Sequence, residues 1–139
     1  MRLLLDTNVV VAALLWSGPP RRLLDRAIDE AITLYSSPAL IDELTRTLHY
    51  RKLAQRIEQF GTTAPALAAQ YTALVTLVSP TQVLRVIEQD ADDDQVLAAA
   101  IASQADLIVS GDKHLHSLGG NYQGIAIVTA AQAVQLIDK

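Results

Sequence analysis

The 139-residue sequence contains no cysteine. That single absence excludes a disulfide framework, a thiolate metal site and a cysteine nucleophile together, and it accords with a reducing compartment. Aromatic residues are scarce, with one Trp, one Phe and four Tyr, so recognition of a single strand by serial base stacking is not indicated. Basic residues are outnumbered, 11 against 15 acids, for a net charge of −4 and a sequence pI near 5.2. Phosphate contacts normally come from a basic surface, but acids that converge on a divalent cation reverse the local potential. Net charge alone therefore does not decide the substrate. Nor is there any run approaching the ~20 apolar residues of a membrane span. The apolar start, Met1 to Trp16, is interrupted by Asp6 and Asn8, with no small-residue cleavage site before Gly18-Pro19-Pro20. A signal peptide tolerates an internal acid poorly. The expectation is a soluble, cytoplasmic protein forming one domain over residues 1–139.

What is present is half hydrophobic and alternates between two periodicities. Arg2 to Leu5 is a short apolar run ending at Asp6, as in a buried parallel strand. Arg21 to Ala31 repeats Leu23, Leu24, Ala27, Ile28 and Ala31 at helical spacing, and Ile32 to Tyr35 is β-like. Ser36-Ser37-Pro38 opens a helix, with a serine cap and a proline in the first turn, that runs through Glu43 toward Tyr50 or beyond. After Gly61 a helix is expected from residue 63 or 64 to Val78, then a strand over Leu84–Ile87. An Ala-rich helix follows over Asp94–Gln104, then a strand over Leu107–Val109 ending in Ser110-Gly111-Asp112. A strand over Ile125–Val128 and a helix over Ala130–Ile137 close the chain. Strands alternating with helices imply βαβ units, hence an α/β fold with a central parallel sheet covered on both faces.

In such sheets ligands bind outside the carboxyl ends of the strands. Asp6 directly follows the first strand, and Asp112 follows the Leu107–Val109 strand across two residues. Asp94 opens its expected helix and shares a face with Leu97, Ala98, Ile101 and Ala105, so its carboxylate is expected to face inward, where an unpaired charge is costly. Asp92 and Asp93 then lie before or at the cap, where acids favour the helix dipole and stay wet. Glu43 lies roughly 110° from the centre of its helix's apolar stripe and Asp42 roughly 150°, which puts Glu43 at the boundary and Asp42 in solvent. If Asp6, Glu43, Asp94 and Asp112 meet, the site is all oxygen and suits Mg²⁺ or Mn²⁺ better than zinc. The natural chemistry of such a site is phosphodiester hydrolysis.

These pieces, Leu4-Leu5-Asp6-Thr7-Asn8-Val9, Ser37-Pro38 with Glu43, Asp92-Asp93-Asp94 before Leu97-Ala98, and Ile108-Val109-Ser110-Gly111-Asp112, resemble the PIN domain in order and over essentially the whole chain. The likeness is nearest the bacterial subfamily described as toxin components of toxin–antitoxin systems. The resemblance implies an α/β/α sandwich, metal-dependent endoribonuclease activity, an antitoxin partner and a homodimer. It also implies Asp6, Glu43, Asp94 and Asp112 as the acidic ligands, with Asn8 and Ser110 in support. The run Asp90–Asp94 departs from the lone acid of compact toxins, so Asp92 or Asp93 can share the metal.

Arg46, Arg51 and Lys52 follow Glu43 and are candidate RNA-backbone contacts, against the alternative of a solvated helix face. Lys113, His114 and His116 follow Asp112 and are either phosphate contacts or surface residues. Trp16 is a base-stacking platform or a packing residue. A non-catalytic RNA-binding or assembly module is the alternative function. A haloacid-dehalogenase-type phosphatase also starts from an Asp after a strand, but needs Asp-x-Asp, and position 8 is Asn.

Overall fold

Three consecutive leucines make β1 (Arg2–Leu5) apolar on both sides, and that fixes it at the centre of a sheet rather than at an edge. The structure, a computed structural model, describes residues 1–88 and 90–138. After β1 come α1 (Thr7–Leu15), α2 (Pro19–Ile28) and β2 (Thr33–Ser36), then α3 (Pro38–Leu48), α4 (Arg51–Gln59), α5 (Ala64–Leu74) and β3 (Thr76–Leu77). The second half carries α6 (Ala91–Ser103), β4 (Leu107–Val109), α7 (Lys113–His116), β5 (Asn121–Tyr122), β6 (Ile125–Val128) and α8 (Ala130–Ile137). The strands lie in the order β3-β2-β1-β4-β6-β5. All neighbours are parallel except β5 and β6, which form an antiparallel hairpin at one edge.

Alternate residues of the central strands feed two cores. Leu3, Leu5, Leu107 and Val109 face the helices α1, α2, α3, α4, α5 and α8, whereas Leu4, Ile108 and Ile127 face α6 and α7. The result is the expected α/β/α sandwich around a mostly parallel sheet. From β1 the chain first builds outward through β2 and β3, then crosses to the other side of β1 with β4. The switch point thus falls between β1 and β4, the place at the strands' carboxyl ends where open α/β sheets bind ligands.

Several boundaries differ from the sequence expectation. The long helix from Ser37 breaks at His49-Tyr50 into α3 and α4, without a glycine or proline to announce it. The helix expected to reach Val78 stops at Leu74, and Thr76–Leu77 joins the sheet as a two-residue edge strand beside β2. Leu84–Ile87 is not a strand. The amides of Val86 and Ile87, which a ladder would use, donate instead to the Asp94 carboxylate at 2.9 and 2.7 Å. Finally, α6 starts about one turn early, at Ala91, because the Asp90 side chain caps it by accepting from Asp92 N–H at 2.9 Å. No helix among the described residues is long and apolar enough to cross a membrane.

Candidate metal centre

Asp6 ends β1 and caps α1. One carboxylate oxygen accepts from the Val9 amide at 3.1 Å, and the other accepts from the hydroxyl of Ser110. Burial raises its pKa above the ordinary carboxylate range despite these donors, and the charge of Asp112 pushes the same way. Ser110 is fully buried at the end of β4 and its hydroxyl also accepts from the Asp112 amide at 2.9 Å. One hydroxyl therefore sets the spacing of two acids on neighbouring strands. Asp112 caps α7, accepting from the His114 amide at 2.7 Å. His116 fixes the same turn from behind, its Nε2 lying 2.6 Å from the Ser110 carbonyl.

Glu43 reaches the cluster from α3, whose start is held by Pro38 at the first position and by Ser37 accepting from the Leu40 amide at 3.3 Å. It is half-buried, as its boundary position on the helix predicts. Burial and then the charge of Asp92 push its pKa up to about 7, with Asp6 and Asp90 adding to the effect and Thr7 partly offsetting it. Asn8 sits exposed in the first turn of α1 and is not its cap, since Asp6 fills that role.

The run Asp90–Asp94 resolves into separate tasks. Asp90 caps α6 and Asp92 is exposed, while Asp93 and Asp94 are both buried. They face different ways. Asp93 shares its face with the buried Val96, Leu97 and Ala100, at spacings of three, four and seven. It lies against Asp112 and Asp6, and burial followed by the charge of Asp112 pushes its pKa up to about 7. Asp94 turns instead to the preceding loop. It holds the Val86 and Ile87 amides on one oxygen, and the Arg85 guanidinium lies 3.3 Å from the other. The sequence expectation that Asp94 joins the cluster is not met. The inner stripe of α6 runs through Val96, Leu97 and Ala100, and Ile101, expected beside Asp94 on that stripe, is 40% exposed. Asp93 takes the inward place that the spacing argument gave to Asp94, and the expectation of a wet Asp93 is corrected with it.

A divalent cation fits what is present. One carboxylate oxygen of Asp93 is buried with no hydrogen-bond partner, a costly state for a charged group that a cation removes. Donor atoms of Asp93, Asp112 and His114 lie within 4.8 Å of one another. Burial and then neighbouring carboxylate charge raise the pKa values of Asp6, Glu43 and Asp93, and carboxylates packed in this way require either protons or a cation. Arg46, Arg51 and Lys52 are exposed, and among the described residues no hydrogen bond or ion pair ties them to these acids. Arg51 and Lys52 open α4, eight and nine positions past Glu43 and beyond the break that ends α3. Trp16 lies at the far end of α1 from Asp6, with the Arg56 guanidinium 5.2 Å from its ring and 4.7 Å from that of Phe60. It is a packing residue of that end rather than part of the centre.

Comparison with known proteins gives the family and the fold. The sequence matches the family described as PIN domain over residues 2–114. It is similar to an uncharacterized protein of Methanocaldococcus jannaschii, 29% identical over 119 residues that cover 85% of this chain and 75% of the relative. The backbone is similar to a chain in the crystal structure of VapBC2 from Rickettsia felis bound to a DNA fragment from their promoter. The TM-score is 0.61 at 14% identity, covering 91% of this chain and 97% of the other. At that identity the likeness speaks to fold.

Proposed function

The chain belongs to the PIN domain family, and from that premise we propose that it is a divalent-metal-dependent endoribonuclease, the toxin of a toxin–antitoxin pair. The observation that carries this reading is the convergence of Asp6, Glu43, Asp93 and Asp112 at the β1–β4 switch point, with one buried oxygen of Asp93 unpartnered. The toxin role, an antitoxin partner and a homodimer rest on the sequence resemblance alone. Cytoplasmic residence rests on the sequence reading alone, from the absence of cysteine and the interrupted apolar start. The whole chain, residues 1–139, is read as one nuclease domain, since its two cores share one sheet.

In this reading Asp6, Glu43, Asp93 and Asp112 hold Mg²⁺ or Mn²⁺. The cation supplies Lewis-acid charge to the phosphate and lowers the pKa of water. The protein's own part is positioning. Ser110 fixes the Asp6 and Asp112 pair, and the Asp90 cap fixes the first turn of α6 and so aims Asp93. Asp94 fastens the loop that delivers that turn. With pKa values pushed up to about 7, Glu43 and Asp93 are poised to exchange protons near neutral pH until a cation claims them.

The test is cleavage of a labelled RNA in Mg²⁺, Mn²⁺ or EDTA by wild type and by Asp6→Asn. Cleavage that requires metal and is lost in Asp6→Asn is the expected result. Cleavage in EDTA, or full activity in the variant, overturns the mechanism. Binding of RNA without cleavage under any metal turns the assignment to a non-catalytic module.

A further inference from the structure

We propose that His114 is a nitrogen donor to the cation held at this centre, and that it biases the site toward Mn²⁺ over Mg²⁺. The inference rests on the metal-nuclease reading above and adds a residue that the four-acid pattern does not contain.

His49 has its Nδ1 2.7 Å from the Thr45 carbonyl, and His116 has its Nε2 2.6 Å from the Ser110 carbonyl. Each of those rings is tied to the backbone. The His114 ring has no such tie among the described residues. Its Nδ1 lies 3.5 Å from a carboxylate oxygen of Asp112 and groups with donor atoms of Asp93 and Asp112 inside 4.8 Å. Backbone contacts hold the residue in place. Its amide donates to Asp112 at 2.7 Å and its carbonyl accepts from the Ser117 hydroxyl at 2.6 Å. The ring is therefore presented by a fixed turn. It faces a centre that already contains a buried, unpartnered carboxylate oxygen of Asp93.

The chemistry follows from the donor set. An all-carboxylate site suits Mg²⁺, Ca²⁺ and Mn²⁺, whereas imidazole suits later first-row metals and is a poor ligand for hard Mg²⁺. One nitrogen among several oxygens is a mixture that Mn²⁺ accepts and Mg²⁺ does not reward. Neutral imidazole also adds a donor without a further negative charge, in a place where four acids already repel one another. The bias is set by one side chain.

The experiment is Mn²⁺ and Mg²⁺ titration of the metal-free protein by calorimetry, with pulsed EPR of the Mn²⁺ complex. Wild type, His114→Ala, His114→Gln and His116→Ala are compared. The expected result is an imidazole ¹⁴N coupling in wild type and His116→Ala that vanishes in both His114 variants. Mn²⁺ affinity should fall about tenfold or more in those variants, the lower end of what removing even a supporting residue costs, and Mg²⁺ affinity should change far less. Bound Mn²⁺ without nitrogen coupling, coupling that survives both His114 variants, or equal loss for the two metals overturns the proposal while leaving the nuclease reading intact. Failure of wild type to bind Mn²⁺ at all sinks both.

Discussion

The hydroxyl of Ser110 donates to the carboxylate of Asp6 across 104 residues of sequence, at the seam where β1 and β4 lie side by side. The same oxygen accepts from the Asp112 amide. Replacing it with Ala leaves a buried carboxylate oxygen and an amide without partners at once. Ser110→Ala is expected to lower metal affinity or cleavage by 10- to 100-fold, the usual scale for a residue that orients ligands. Calorimetry with Mn²⁺ checks this. Wild-type affinity in the variant would show that β1 and β4 alone set the spacing.

Asp94 should behave as a fastening rather than a ligand. Asp94→Ala strips acceptors from the Val86 and Ile87 amides, and each unsatisfied buried group costs about 1–3 kcal/mol. A loss of roughly 2–4 kcal/mol in urea unfolding is expected, with faster hydrogen exchange at those two amides. Asp94→Asn keeps an oxygen for them and should retain most metal affinity, whereas Asp93→Asn should lose it. The reverse ranking would return Asp94 to the ligand set.

Stability of the metal-free protein should fall as pH rises. The folded pKa values of Glu43 and Asp93 are pushed up to about 7 from ordinary values of 4.5 and 3.8. The folded state thus binds more protons than the unfolded one between those limits. The stabilisation from protonation is full below pH ~4 and is lost as pH passes through about 7. A drop of several degrees in Tm between pH 5 and pH 8 is expected. Added Mn²⁺ should raise Tm more at pH 8 than at pH 5. A flat metal-free profile would mean that neither burial nor neighbouring charge raises these carboxylates' pKa values in the folded state.

Amide isosteres should separate stability from activity. Asp93→Asn and Glu43→Gln each remove a charge from the cluster with little change of volume. At pH 8 without metal, both variants should melt at or above the wild-type temperature, while cleavage drops by roughly two orders of magnitude, the trade-off expected of a strained active site. Melting curves and a single-turnover assay on the same preparations test both halves. A variant that is destabilised without metal contradicts the repulsion argument.

Much of this was readable from the residues because an acid after a buried strand has few places to go. Asp6 and Asp112 end the apolar runs of β1 and β4, and parallel pairing then puts both at one edge. The angle of Glu43 to its apolar stripe gave only a boundary position, and the family resemblance supplied its place among the acids. The assignment of Asp93 against Asp94 was not legible, because both flank the apolar stripe, Asp93 four residues and Asp94 three residues before the buried Leu97. What separates them is the loop amides that Asp94 holds, a contact that spacing does not show. Leu84–Ile87 reads as a strand by composition, yet a carboxylate several residues later takes its amides, and no periodicity reveals a partner of that kind. The edge strand β3 is two residues long and continues the helical apolar spacing of α5, so its sequence carries no separate signal. His114 sits in a short turn where charged residues are usually solvated, and only the three-dimensional grouping sets it apart.

The crossover from one side of β1 to the other also times the appearance of the centre during synthesis. Asp6 is made before its partners on β4, which come about a hundred residues later. At roughly 5–20 residues per second, the nascent chain spends on the order of 5–20 s with Asp6 made and the β1–β4 pairing still impossible. During that interval the four-acid cluster does not exist. A chain stalled or truncated before β4 lacks Ser110 and Asp112, so the topology ties the assembled cluster to chains in which β4 has been made.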